Sequence, residues 1–578
     1  MIKEVKSLIQ KVLNSLEKEG VLIVGKDIKI VVETPGNQDY GDYSTNIALV
    51  LAKKNKISPQ KIADLIISKI SSDYFKKIEV VGGFINFTLS QKVLIDNIQE
   101  ILEKRENYGR EKLIGKTIVI DYSSPNIAKA FGIGHLRSTI IGQAIYNIYQ
   151  FLGWKCIGDN HLGDWGTQFG KLTVAIKKWN EKDLEKLSVN DLEALYVKFH
   201  KEAEKDDSLL DEGREWFKKL EDGDKEAKKI WKICVRVSLK EFDKIYDILG
   251  IKIDNTLGES FYEDKMASVI EDAKNRGVVE KSLGALVIPL PETKVPLMLL
   301  KSDGATTYGT RDLATIRYRI DRWQPDLIVY EVGVDQKFHF KQLFQAAEIL
   351  GYGRKEQFIH IAHGMFRWKD GKFSTRRGKT IHLGEVLIKG IDLAKKIIKD
   401  RKISEREKER IAKIIGIGAI KYNDLSQHHT KDIIFDWDKI LNLQGNSAPY
   451  IQYMIVRCYS ILEKNSVKLK NERKYKDIFS ENKIIELSDM EYSERVLLRN
   501  LFKYKEIVNE AALNFSPNII ANYIYKLAQD YSVFYENCPI LIEKNQKKRE
   551  LRLALTDATK EILKSGLLLL GIETVKEM

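Results

Sequence analysis

Within the eleven residues from Pro125 to His135, a lysine, two glycines and a histidine occupy a polar turn. An apolar run, Thr117 to Ile120, precedes the turn, and an apolar-periodic segment, Ile140 to Leu152, follows it. The run reads as a buried parallel strand and the periodic segment as a helix. Ser123, Pro125, Asn126, Lys129, Gly132, Gly134 and His135 therefore fall where free backbone N–H groups gather at a helix N-terminus. That setting suits a polyphosphate: Gly132 and Gly134 admit close approach, and His135 can donate to phosphate oxygens. By itself, Gly-Xaa-Gly-His more often marks an ordinary connection whose histidine caps a helix.

Four further segments carry possible chemistry. Tyr308 and Asp312 are four residues apart at a predicted helix start, so both can face one side. A carboxylate with neutral acceptors is the pocket that a planar, permanently charged guanidinium needs, although Asp312 could simply pair with Arg311. The run Gly333-Val334-Asp335-Gln336 follows a predicted strand, where an acid can accept from two ribose hydroxyls. Trp368 to Thr380 holds five cations against one acid, a loop able to neutralise charge developing on pyrophosphate or else a solvated basic hairpin. Gly158 to Gly170 is a polar, glycine-rich loop expected beside the first turn, at the carboxyl ends of the strands. Leu257 to Tyr262 has no role evident from its chemistry.

The elements that must position these residues follow from periodicity. With 578 residues, two to four domains are expected. Residues 1–110 read as a small α+β unit, with Val21 to Glu33 alternating like strands and Tyr43 to Lys54 helical. Residues 111–400 alternate short apolar strands with helices, which predicts a Rossmann-type, doubly wound parallel sheet. The clearest strands are Thr117–Tyr122, Lys155–Asp159, Asp326–Glu331 and Gln357–Ala362. A charged helical insertion occupies about residues 175–295, and residues 401–578 read as a helical bundle. The fold class is thus α/β plus all-α.

Lys plus Arg at 95 against Asp plus Glu at 82 leaves +13, which favours an anionic partner, nucleic acid first. Four dispersed cysteines and no apolar stretch of membrane-span length predict a chain of the reducing cytoplasm with no membrane partner. The amphipathic start of the chain lacks the apolar core of a secretion signal.

Taken in order, these segments resemble the arginyl-tRNA synthetases, a class I family, over nearly the whole chain. Ser123 to Ser138 is similar to the first class I signature, His-Xaa-Gly-His, with Gly132 where the first histidine is expected. Phe373-Ser374-Thr375-Arg376 is similar to the second signature, Lys-Met-Ser-Lys-Ser, in a variant where Thr375 lacks the second lysine. The resemblance implies ATP contacts at Pro125, Gly132, Gly134, His135, Gly333, Asp335 and Lys372, with His135, Lys129, Lys372, Ser374 and Arg376 serving catalysis. It implies arginine contacts at Asp121, Ser123, Asn126, Tyr308, Asp312 and Gln336, Asp121 standing where the family carries a glutamate. Asn46 and Phe84 in the N-terminal unit, and Tyr450, Gln452, Arg457, Tyr531 and Met578 in the anticodon-binding bundle, are implied to face the arginine tRNA. Mg2+ would arrive with ATP and no protein-held metal site is expected; adenylate formation would require bound tRNA, and the protein would act as a monomer. A synthetase for another amino acid, or an RNA-binding relative without activity, would share the same fold.

Overall fold

The computed structural model describes residues 1–25, 27–368, 371–372, 382–468 and 489–578. The chain divides into two units. One comprises Met1–Gly109, Met454–Glu510 and Tyr523–Ser565, the other Arg110–Tyr453, Ala511–Asn522 and Gly566–Met578.

In the first unit, helix α1 (Ile2–Lys18) is followed by strand β1 (Tyr43–Thr45), α2 (Ile47–Asn55), α3 (Pro59–Ser68), β2 (Phe75–Val81), β3 (Phe84–Leu89) and α4 (Gln91–Lys104). The antiparallel sheet has the order β1-β3-β2. Two local expectations fail here. Among its described residues Val21 to Glu33 forms no strand: Leu22, Val24, Ile30 and Val32 alternate into the core, and the backbone makes one bridge there, Glu33 to Ser44. Tyr43 to Thr45 is strand rather than helix, because it pairs with Phe87 to Ile85 on β3. The N-terminal residues share this unit with C-terminal helices: Tyr108 stacks on Tyr504 at 6.0 Å, and Arg105 meets Asp557 at 2.7 Å.

The second unit is built on β4 (Thr117–Asp121), α5 (Gly134–Phe151) and β5 (Lys155–Asp159). The insertion follows as α6 (Thr167–Trp179), α7 (Val189–Ala203), α8 (Ser208–Glu221), α9 (Lys225–Leu249), α10 (Met266–Asn275) and a small sheet, β6 (Glu280–Ser282), β7 (Ala285–Ile288) and β8 (Leu297–Leu300). Then come α11 (Tyr308–Trp323), β9 (Leu327–Gly333), α12 (Lys337–Ile349) and β10 (Phe358–His363). The chain continues through β11 (Phe366–Trp368), β12 (Gly371–Lys372), α13 (Leu383–Ile397), α14 (Glu405–Leu425) and β13 (Ile433–Ile434). Helices α15 (Trp437–Ile440), α16 (Ala448–Lys468), α17 (Tyr492–Phe502), α18 (Tyr504–Leu513), α19 (Asn518–Asn537) and α20 (Gln546–Leu569) complete the described elements.

The central sheet runs β10-β9-β4-β5, and all three pairings are parallel. From β4 the chain crosses through α5 to β5 on one side, and from β9 through α12 to β10 on the other. The switch of direction therefore lies between β4 and β9, and a ligand is expected outside their carboxyl ends. Gly142 sets how α5 lies on β4. A β-carbon there would stand 2.3 Å from that of Tyr122, so only glycine lets the helix approach this closely. That seat places the N-terminus of α5 beside the end of β4.

Candidate active site

The turn after β4 is strained. Ser123, Ser124 and Ala128 have φ of 75°, 45° and 63°, a left-handed conformation that costs a non-glycine residue and is held only by its surroundings. The holding bonds are specific. The Ser124 N–H donates to Asn160 Oδ1 at 2.9 Å, and the Ala128 N–H donates to Ser238 Oγ at 2.9 Å. Gly163 joins this turn to the second loop: its N–H donates to the Pro125 carbonyl, and its carbonyl accepts from Ile127. A β-carbon on Gly163 would stand 2.1 Å from Asn126 Oδ1, so any larger residue would push the Asn126 side chain from its place. Asn126, Lys129 and Gly134 remain exposed around this seam, whereas Pro125 and Gly132 are buried.

His135 opens α5 with its ring 5.3 Å from Phe131, and burial lowers its pKa, so it is a neutral imidazole. Its Nδ1 is sealed from solvent, and a bond to the Gly132 backbone partly offsets the effect of burial on the ring. The crevice beyond it is closed on the β9 side by half-buried Gly333, with Asp335 and Gln336 exposed in the following turn.

Helices α11 and α12 form the far wall. Tyr308 is 71% exposed at the start of α11, and Asp312 lies one turn on, half-buried. Asp312 does not pair with Arg311. Arg311 instead donates to Glu263 at 2.7–2.9 Å and approaches Glu259 at 3.5 Å, while Asp312 Oδ2 meets His339 Nε2 at 2.5 Å. Burial opposes a charge on His339, but the bond to Asp312 outweighs it and raises the histidine's pKa. Glu259 is the residue that sequence reasoning left without a role. Burial pushes its carboxyl up to about 7; Arg311 and His161 pull it down, and the neighbouring carboxylates Asp312 and Asp164 push it further up. Its loop is tied in place by Ser260, whose N–H and hydroxyl both donate to Asp164, at 2.8 and 2.6 Å. Its only sequence signal was membership of Leu257–Tyr262.

Two expected substrate contacts are taken by the fold. Asp121 is buried, with Oδ2 2.7 Å from Arg319 Nη2 and Oδ1 accepting from Ser124 at 2.9 Å. Arg319, on α11 and fully buried, also pairs with Asp159 on β5 at 2.8 Å, so it clamps the helix bearing Tyr308 and Asp312 to two strands. Ser123 is buried as well: its hydroxyl meets Tyr246 of α9 at 2.8 Å and accepts from Thr139 at 2.9 Å. Both residues shape the turn and have no free face for arginine.

Lys372 lies on β12, opposite Arg367 of β11. Ser374, Arg376 and the rest of that signature lie outside the described residues. Strand β11 also pairs with β13, and the loop before β13 reaches α5. Buried Arg137 bonds Asp424 at 3.1–3.2 Å and the carbonyls of Lys431 and His429 at 2.6 and 3.1 Å.

Of the RNA candidates, Phe84 is exposed, Asn46 and Tyr450 are half-buried, and half-buried Arg457 stacks over Tyr535 at 4.7 Å. Gln452, Tyr531 and Met578 are corrections. All three are buried, and Gln452 Nε2 donates to the Glu573 carbonyl to hold the C-terminal segment. Their burial makes them packing residues. Among the described residues, no cluster of three or more His, Cys, Asp or Glu is spaced to hold a metal ion, and no helix is long and apolar enough to cross a membrane.

Three family models match the chain: the class I (R) tRNA synthetase catalytic domain over residues 97–437, the DALR anticodon binding domain over 451–578, and the arginyl tRNA synthetase N-terminal domain over 3–89. An arginine–tRNA ligase of Halothermothrix orenii is 39% identical over 576 residues, covering 99% of this chain and 98% of the relative. One from Clostridioides difficile is 39% identical over 558 residues, 96% of each. The solved arginyl-tRNA synthetase of Plasmodium falciparum superposes with a TM-score of 0.84 at 28% identity, covering 100% of this chain and 99% of that one. That of Thermus thermophilus gives 0.85 at 22% identity over the full length of both chains, a likeness of fold.

Proposed function

The chain belongs to the arginyl-tRNA synthetase family, and on that footing we propose that its strand-end crevice activates arginine with ATP and passes the arginyl group to tRNA. It is a class I ligase. ATP, entering with its magnesium ion, lies across the turn at Gly132–His135, its ribose hydroxyls on Asp335 and its phosphates beside the backbone N–H groups at the start of α5. Arginine lies on the other wall, its guanidinium toward Asp312, Glu259 and Tyr308, with Asn126 and Gln336 as neutral polar partners. A carboxylate oxygen of arginine attacks the α-phosphorus, the bond to pyrophosphate breaks, and arginyl-adenylate forms. A hydroxyl of the terminal adenosine of tRNA then attacks the arginyl carbonyl and AMP leaves. No protein nucleophile is needed; positioning and charge carry both steps. Exposed Lys129, near His135 in the same turn, supplies positive charge where the second signature lacks its second lysine.

The observation that carries this reading is the acidic pair on the α11 wall. Glu259 and Asp312 repel one another across a half-buried space that Arg311, His161 and His339 partly neutralise. A substrate guanidinium fits that deficit. Arginyl transfer tested with each amino acid and bulk tRNA distinguishes it from other specificities: arginine alone is expected to be charged, and charging of another amino acid would overturn it. Adenylation is expected to need tRNA, so arginine-dependent ATP–pyrophosphate exchange without tRNA should stay near background. The tRNA for arginine is the macromolecular partner, and the protein works as a cytoplasmic monomer, a setting consistent with its four free cysteines.

A further inference from the structure

Strand β10 ends in His363, which the mechanism above does not use. Its Nδ1 lies 3.0 and 3.1 Å from the two carboxylate oxygens of Glu331 on β9. A carboxylate only accepts, so Nδ1 carries the proton and donates. The Glu331 side chain is sealed at 0% exposure, whereas that of His363 retains 11%. Its Nε2 points to Gly333, 3.8 Å from where a β-carbon on that glycine would stand. Gly333 opens the turn that carries Asp335, and it is the register partner of His363. The ring therefore sits between the expected ribose turn and the first-signature helix.

The surrounding charges decide its state. Burial, Arg137 of α5 and neighbouring histidines oppose a proton on His363, while Glu331 of β9 and Asp424 of α14 favour it. The carboxylates prevail and its pKa is raised. The neighbouring imidazoles are driven the other way by burial: His135 is lowered, and His360 and His429 fall to about 4. Of these four rings, His363 is the one poised to carry charge.

We propose that His363, oriented by Glu331, supplies at the ATP site the cationic imidazole that Gly132 lacks, presenting its Nε2–H to the ribose-phosphate of the nucleotide. This inference rests on the ATP reading of the crevice. The competing role is purely structural, a pair stapling β9 to β10.

The test uses the full-length enzyme with tRNA and arginine-dependent ATP–pyrophosphate exchange. His363→Gln is expected to lower kcat by roughly tenfold or more, the range of a positioned acid–base or charged donor, with KM for arginine unchanged. Adding Gly132→His to His363→Gln is expected to recover at least about fivefold, because a second imidazole then enters the same site by the other route. Glu331→Gln keeps the ring but removes the charge that holds its proton, so the alkaline fall of kcat should move to lower pH. Exchange at the wild-type rate by His363→Gln would overturn the proposal. So would a loss that Gly132→His leaves unrepaired, or, should His363→Gln fail to fold, an unshifted limb in Glu331→Gln. Absence of exchange in the wild-type enzyme would instead sink the ATP reading itself.

Discussion

Two carboxylate clusters lie along α11, two turns apart, and they are finished differently. At Arg319, the fold brings its own guanidinium to Asp121 and Asp159 and seals all three from solvent. At Asp312 the same helix presents a carboxylate to an open crevice, where Glu259 adds a second acid whose pKa is pushed up to about 7. The first cluster carries its own guanidinium, shared between two carboxylates, whereas the second leaves room for one from outside. An internal arginine thus shows what the neighbouring pocket asks of a substrate: a planar cation between acids on adjacent elements. The contrast also separates residues that build the site from residues that read its ligand.

The most disruptive change opens the closed cluster. Arg319→Met leaves two buried carboxylates uncompensated, and a destabilisation of about 3–5 kcal/mol is expected from denaturant unfolding. An unfolding midpoint like that of the wild type would mean that the clamp between α11 and the sheet does not hold the helix. The open cluster should answer in substrate binding rather than in stability. Asp312→Asn keeps shape and folding but removes one charge-assisted partner of the substrate, worth roughly 1.5–3 kcal/mol. KM for arginine should rise by one to two orders of magnitude on that basis, with KM for ATP and the thermal midpoint unmoved. Loss of stability in Asp312→Asn would blur the distinction between the two clusters.

Across the crevice, His135 tests whether the nucleotide wall behaves as a reader of ligand too. Its ring is buried at the start of α5, where the phosphates are expected. His135→Ala is expected to cost on the order of 2–3 kcal/mol in the adenylation barrier, read as a fall in kcat of arginine-dependent exchange. Equal rates for the two enzymes would move the phosphate contacts onto Lys129 and the backbone alone.

What the sequence made legible follows the same division. The strand–turn–helix around Gly134–His135 and the i, i+4 pair Tyr308–Asp312 were readable because their geometry is local, set by neighbours in the chain. Asp121 was misjudged because its partner Arg319 is 198 residues away, and nothing local says that its charge is already matched. Ser123 was misjudged for the same reason, its hydroxyl being claimed by Tyr246, 123 residues on. Tyr531 and Gln452 looked like RNA contacts by residue type, yet each falls on a buried helix face that packing alone selects. Glu259 went unread because a lone acid in a loop gains meaning only when Asp312 and Asp164 are brought to it. The tRNA-facing surface remains the least local feature and was the least legible.

The subtlest change is also the most diagnostic of the open cluster. Glu259 has its carboxyl pKa raised to about 7, chiefly by burial, with Asp312 and Asp164 adding to it. The protonated acid is neutral and gives a guanidinium a weaker partner, whereas the ionised form completes the acidic pair. Arginine affinity should therefore rise as pH passes upward through about 7. KM for arginine should fall between about pH 6 and 8, by up to about tenfold where the two protonation states differ by about 1.4 kcal/mol in affinity. Arginine itself stays charged throughout that range, so the dependence belongs to the protein. In Glu259→Gln the slope should flatten and the KM should stay near its acid-side value at every pH. A slope that survives that substitution would assign the titration to His339, whose proton is held by Asp312 and must yield to the substrate. That outcome would keep the pocket but shift its regulating group from the loop to α12.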